Sequence, residues 1–358
     1  MKRLLLQLLL GLMVVSGGLG QDEGASAEFK RRANLWMVSS DAAKRKAAYR
    51  SWLQLGPEAL PDYQAALELA AKYHSKQLDE LSRGRSSAGN PYAAHHDVAK
   101  QLDEERPRVM ELIKTDWKKD GAKIKMLREE IAKLEKLWAK VQRLAAADTK
   151  RFDAALDATV AGMMEVAREQ ERFDKDSDTA EMDDEELREY VLKNHVEGSF
   201  LVPQRDRMEA TKKVVAELAE VEKDNAALGR WASAAMKSFA TLLNHERAVT
   251  GLKPLRLEEK LSDATRGHSE DMARLGFFAH ESPVEGKKSP WDRARLAGFT
   301  GNGNGENIFM GSANFDAAYH AWFGSDGHRF IMFGSGCNVL GVGISGVHWT
   351  MMTGNLGG

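Results

Sequence analysis

The sequence predicts an α+β domain at its C-terminal end, preceded by a long, all-α, partly coiled-coil arm. Three observations carry this. Apolar residues recur at helical spacing through most of the chain before Ser238, two β-type runs flank Ser345-Gly346 near the end, and glycine-rich polar motifs gather in between.

The 358 residues exceed one typical domain, so two or three units are expected. With 43% apolar and 29% charged residues the composition is that of a globular protein. A net charge of -2 argues against sequence-independent nucleic-acid binding, which needs a strong basic field. The single cysteine, Cys337, excludes an internal disulfide, and its setting reads as a small packed residue and not a nucleophile.

The N-terminus reads as a secretory signal over residues 1–20. Lys2 and Arg3 precede an apolar stretch from Leu4 to Val15, and Ser16 to Gly20 supply small residues for cleavage, with Ala27 a second position. Export to the periplasm, cell envelope or exterior follows as the expectation. No later run is apolar and long enough to span a bilayer, so no transmembrane segment is expected after signal removal.

Residues 21–92 read as a helical segment. Trp52 to Pro61 gives a helix, a Gly-Pro break and a new helix start, like one HEAT unit with no second copy. Ser86 to Tyr92 reads as a loop. Residues 93–237 read as long helices. Ile124, Leu127, Ile131, Leu134, Val141 and Leu144 form a heptad seam, expected as a coiled coil or antiparallel pair. Phe152 to Phe173 is a second helix with Leu156, Val160, Met163 and Val166 on one face. The acidic run Asp174 to Glu186 is a solvated linker, without the pattern of a calcium loop. A further seam from Val214 through Leu218, Val221, Asn225 and Leu228 to Leu242 predicts one continuous helix leading into residues 238–358.

In that last segment a helix ends at Gly251. A second carries Leu257, Leu261, Ala264, His268, Met272 and Leu275 on one stripe, so His268 faces inward. Pro290 and Trp291 start a short helix through Leu296. Gly301 to Gly305 alternates glycine with asparagine, without the strand, lysine or spacing of a phosphate loop. Phe315, Tyr319 and Trp322 share a helix face. In the run Val339 to Ile344, Gly341 and Gly343 leave one face bare, so a neighbour must approach closely.

The motifs Leu243-Asn244-His245-Glu246-Arg247, His268-Ser269-Glu270-Asp271-Met272, Phe277-Phe278-Ala279-His280, Gly305-Glu306-Asn307-Ile308, Ala321-Trp322, Gly327-His328-Arg329 and Gly341-Val342-Gly343 occur in this order. Together they resemble the bacterial branch of the CAP superfamily, also called SCP or cysteine-rich secretory protein domains. The resemblance covers the C-terminal third. It implies an α-β-α sandwich with a central cleft of two histidines and two acids, which can hold zinc or another divalent metal. By motif, His280 and His328 correspond to the histidines and Glu306 to the first acid. The second acid falls near Ser325, and Asp326 is one position out. His268 and Asn307 are expected to line the cleft.

His280, His328 and Glu306 could form a three-ligand zinc site with an open position, or Glu306 beside a histidine could act as a general base. The expected function is an exported module whose cleft binds a metal or a small, lipid or cell-envelope ligand. Its arm would serve spacing, protein contact or self-association. The alternative is a metal-assisted or Glu/His-dependent hydrolase of peptide or envelope polymer, with His280, Glu306 and His328 as its catalytic groups.

Overall fold

The computed structural model describes residues 21–82, 89–195 and 201–357, so the expected signal segment lies outside the described residues. In chain order the helices are α1 (Gln21–Met37), α2 (Ala42–Gln54), α3 (Leu60–Ser82), α4 (Pro91–Lys114), α5 (Gly121–Ala145), α6 (Lys150–Gln170), α7 (Asp184–His195), α8 (Leu201–Ala227) and α9 (Ala234–Val249). They continue as α10 (Glu259–Leu275), α11 (Pro290–Leu296), α12 (Phe315–Phe323) and α13 (Asp326–Met332). The strands are β1 (Arg256–Leu257), β2 (Asn302–Met310), β3 (Val339–Ser345) and β4 (His348–Asn355). None of the described helices is long and apolar enough to cross a membrane. Pro91 already opens α4, and residues 86–88 of the expected loop lie outside the described residues.

The chain forms two compact units, divided differently from the expected boundary at residue 237. One comprises residues up to Asn90 together with Asp148–Val202; the other comprises Pro91–Ala147 with Pro203–Gly358. In the first unit Asp41 caps α2 through the amides of Ala43 and Lys44. The break before α3 is a short 3-10 turn, Pro57–Ala59, entered through Gly56 at φ 85°. Tyr49, Trp52, Tyr63, Leu67 and Val166 share its core. Buried Arg45 grips Glu165 of α6 through two bonds of 2.7 and 3.0 Å. The acidic segment after α6 is turn-rich, and Arg168 donates to the carbonyls of Thr179 and Met182 within it.

In the second unit, α4 and α5 pack against each other. Leu127, Ile131, Leu134 and Val141 of α5 are buried as the seam predicts, and Trp138 is buried with them in one cluster with Phe239, Tyr319, Trp322 and Trp349. The arm's central hairpin and the α+β domain therefore share a core.

The expected continuous helix does not form. α8 stops at Ala227, and Ser233 caps a new helix by accepting from the Met236 amide at 3.3 Å. Gly229 and the Ser233 cap together favour a break over continuation. Val214 is 42% exposed, outside the seam. The buried Asn225 amide donates to Leu255 O and accepts from Leu257 N at 2.8 Å, fastening α8 to β1. Asn244 of α9 clamps Leu255 from its own side, accepting from its N at 2.7 Å and donating to its O at 2.9 Å.

The sheet runs in the order β1-β3-β4-β2, with β1 parallel to β3 and the other pairs antiparallel. Leu340, Val342, Trp349 and Met351 pack into the α9 and α12 layer, while Val339 and Met352 join Leu261, Ala264, Ala294 and Phe299 from the α10 side. The result is a helix layer on each face of a small mixed sheet. The bare face of β3 admits α10 at backbone distance. A Cβ on Gly343 would lie 2.1 Å from Arg266 N, and one on Gly341 2.6 Å from the Leu261 backbone. The Gly-Asn run is the start of β2, with a bulge between Gly303 and Gly305. Its glycines make room for the Trp291 ring and the Ile331 side chain.

Buried Arg247 donates to Lys253 O, Met332 O and Gly334 O at 2.9, 2.7 and 3.0 Å. Cys337 is buried and donates to Gly334 O, the packed role read from its sequence.

Candidate functional site

The site is built along β2, the edge strand of the sheet. Successive residues of a strand point to opposite faces, so Glu306 and Asn307 serve different layers. Glu306 pairs with Met352 in the register and joins the α10 and α11 side; Asn307 reaches α13.

Glu306 is buried, and both its oxygens are engaged. Arg293 Nη2 donates to Oε2 at 2.6 Å, and His280 Nδ1 stands 2.9 Å from Oε1. A carboxylate only accepts, so Nδ1 carries the ring proton, and the Nε2 lone pair of a neutral His280 is left outward. The His280 side chain is 50% exposed, whereas those of Glu306 and Arg293 are 2% exposed.

Arg293 was not singled out from the sequence, yet it organises the site. Its Nη1 donates to the carbonyls of His280, Lys287 and Lys288 at 3.1, 3.0 and 3.2 Å, shaping the loop that carries His280. It is aimed by α11, whose capping box joins Ser289 and Asp292. The available signal was an arginine one turn after a Ser-Pro-Trp-Asp helix start.

His268 is fully buried on α10, as its stripe predicts. Its Nε2 donates to Ala279 O at 3.0 Å, one residue before His280, so it braces the loop instead of opening into a cavity. Burial lowers its pKa, with the Arg293 and His280 charges in the same direction and Glu306 opposing. Asn307 donates to the His328 carbonyl at 3.0 Å and fixes the start of α13. The His328 ring has a buried Nδ1 with no hydrogen-bond partner. Burial lowers its pKa, followed by the charges of His280 and Lys119.

The remaining two candidates do not supply a second acid. Ser325 stands at the N-terminal cap of α13 without a side-chain capping bond. Asp326 accepts from Arg329 Nη2 at 2.6 Å. Burial pushes its pKa up, but the Arg329 bond, the Trp117 amide and Asp116 prevail and hold it at about 2. Asp326 belongs to a staple between α13 and the α4–α5 turn.

Among the described residues no group of three or more His, Cys, Asp or Glu side chains is placed to hold a metal ion. With Glu306 already bonded twice, the three-ligand zinc site expected from the sequence does not fit. The two histidines are what remains of a metal reading. Ser269 offers no nucleophile, because its buried hydroxyl bonds Gly343 O and Thr350 Oγ1.

Residues 240–348 match the family model described as CAP, the cysteine-rich secretory protein family. The C-terminal third is a CAP domain. Its curated relatives include the uncharacterized Bacillus subtilis protein YkwD, 38% identical over 120 residues, which are 33% of this chain and 46% of that one. Another is the uncharacterized B. subtilis membrane protein YlbC, 32% identical over 114 residues and 32% of each chain. The chain thus spans less than half the length of either relative. A solved extracellular SCP-domain protein from Bacillus anthracis is 28% identical, with a TM-score of 0.32, over 34% of this chain and 40% of that one. A cysteine-rich secretory protein from Staphylococcus aureus is 18% identical, with a TM-score of 0.29, over 33% of this chain and 37% of that one. The CAP match begins within α9, so α4, α5 and α8 lie outside it while sharing the domain's core.

Proposed function

We propose that this is an exported binding protein whose CAP domain takes a small, lipid or cell-envelope ligand at His280, Glu306 and His328. The helical unit would provide spacing or partner contact. The observation that carries the reading is the chain Arg293–Glu306–His280. A buried ion pair fixes an imidazole whose side chain is half exposed, a pre-set polar contact for a ligand. Export is supported by the three-part N-terminal sequence.

Binding is favoured over hydrolysis because Glu306 has no free oxygen to serve as a base and Asp326 is tied to Arg329. Native mass spectrometry after incubation with peptidoglycan fragments, and separately with a polar lipid extract, tests this. The wild type should retain one species and His280→Ala should lose it. Retention of the same species by both proteins would refute the site. Turnover of a fragment that disappears in Glu306→Gln would favour the hydrolase.

A metal would have to be held by the His280 and His328 imidazoles, where it would act as a Lewis acid. Buried, unpartnered His328 Nδ1 is what supports that second reading. Calorimetry with zinc on wild type and the double alanine variant decides it, and equal heats reject it.

A further inference from the structure

The turn between α4 and α5, residues 115–120, lies outside the CAP match yet is seated against the start of α13. Arg329, the residue after His328, donates to Ile113 O at 2.9 Å and to Thr115 O at 3.0 Å. It also donates to Phe323 O at 2.9 Å and to Asp326, which in turn meets the Trp117 amide and Asp116. The turn is held from its other side as well, since Trp117 Nε1 donates to Leu112 O at 2.8 Å. So the position of His328 and that of the turn are set by one buried guanidinium.

Two consecutive non-glycine residues of this turn, Lys118 at φ 50° and Lys119 at φ 59°, adopt left-handed backbone. Such conformations persist where the surroundings over-determine them, and they concentrate at functional sites. Here they carry an exposed lysine whose ammonium makes no ion pair among the described residues and whose charge is felt at His328. The other charges at the site are largely matched: Glu306 by Arg293, Asp326 by Arg329, and Lys287 by Asp271.

We propose that the α4–α5 turn forms an added wall of the CAP cleft, and that Lys119 on it is a specificity determinant selecting ligands with an anionic group, a carboxylate or a phosphate. A ligand seated there would set its anionic group at the Lys119 ammonium and a hydroxyl or other donor at the outward Nε2 of His280. This deepens the binding reading above and rests on it.

The test is NMR titration of the full chain with inorganic phosphate and, separately, acetate at constant ionic strength, following the His280 and His328 rings. Saturable perturbation by phosphate alone points to a phosphate-bearing ligand, and saturation by both points to a carboxylate-tolerant site; either supports the proposal. Lys119→Ala should weaken binding about five-fold and Lys119→Glu more, as loss and reversal of one nearby charge dictate. Lys119→Arg should restore it. Lys119→Glu within about two-fold of wild type, or no saturable binding by wild type, overturns the proposal. Loss in His280→Ala without change in Lys119→Glu refutes the wall and leaves the cleft. Unchanged binding in His280→Ala refutes the cleft as well.

Discussion

The motifs set Glu306 and His280 together as an expectation, and the fold holds His280 Nδ1 2.9 Å from Glu306 Oε1. Their partner was not legible, because an arginine on a short helix carries no periodicity or motif that separates it from a solvated one. Once buried, Arg293 neutralises Glu306, and removing it leaves an unpaired interior charge. Arg293→Met should therefore destabilise the second unit by about 3–5 kcal/mol, read as a lowered urea midpoint. Adding Glu306→Gln should recover part of that loss, and no recovery would contradict the pairing. Asp326 shows the opposite failure: adjacency in sequence suggested a cleft acid, and the fold spent it on Arg329. Its pKa falls from 3.8 to about 2 on folding, so its contribution is present above about pH 4 and is lost as pH drops toward 2. Asp326→Asn should flatten the acid limb of the stability curve in that window. Buried His268 and half-buried His328 act at higher pH. His268 and His328 have folded pKa values below the ordinary 6.5, so the unfolded chain protonates first as pH falls. Their stabilisation is complete above 6.5 and declines below it, so melting temperature should fall between pH 7.5 and 5.5. A flat profile would contradict folded pKa values lowered by burial.

The elements themselves were largely readable. Periodicity located α5, α6, α10 and α12, and turn residues located the β3–β4 hairpin, because local pattern and tertiary burial agree there. The seam across residues 214–242 misled because period alone cannot see a helix stop. Alternating threes and fours persist through Gly229 and Ser233, but a serine cap and a glycine end one helix and start another. Asn225, a polar residue on that apolar line, is a backbone clamp. Asn225→Ala should cost about 1–3 kcal/mol by orphaning the buried Leu257 amide, measured by chemical denaturation. The two glycines of β3 were read correctly as a close approach. Gly343→Ala forces a methyl into the α10 backbone and should cost at least about 1–3 kcal/mol; a neutral effect would show that α10 can move away.

At the scale of the molecule, the division between arm and domain was the least legible feature, since it depends on which helices share a core. Val98, Leu102, Ile131 and Trp138 join Phe239 and Trp322 in one cluster, and Arg329 reaches the carbonyls of Ile113 and Thr115. A chain shortened to start at Ser233 keeps the whole CAP match but strips this support. It should retain far-UV helix signal while losing near-UV signal and cooperative melting. The α4–α5 hairpin is thus part of the domain's structure. The central claim is that the ligand site lies at the CAP cleft, on loop 277–293, strand β2 and the start of α13. Hydrogen–deuterium exchange of the full chain, with and without an excess of peptidoglycan fragments or polar lipid, tests it most directly. The account predicts added protection over residues 277–293, 302–310 and 326–329 in wild type and none in His280→Ala. Protection confined to helices α3, α6 and α7, or none anywhere, would contradict it.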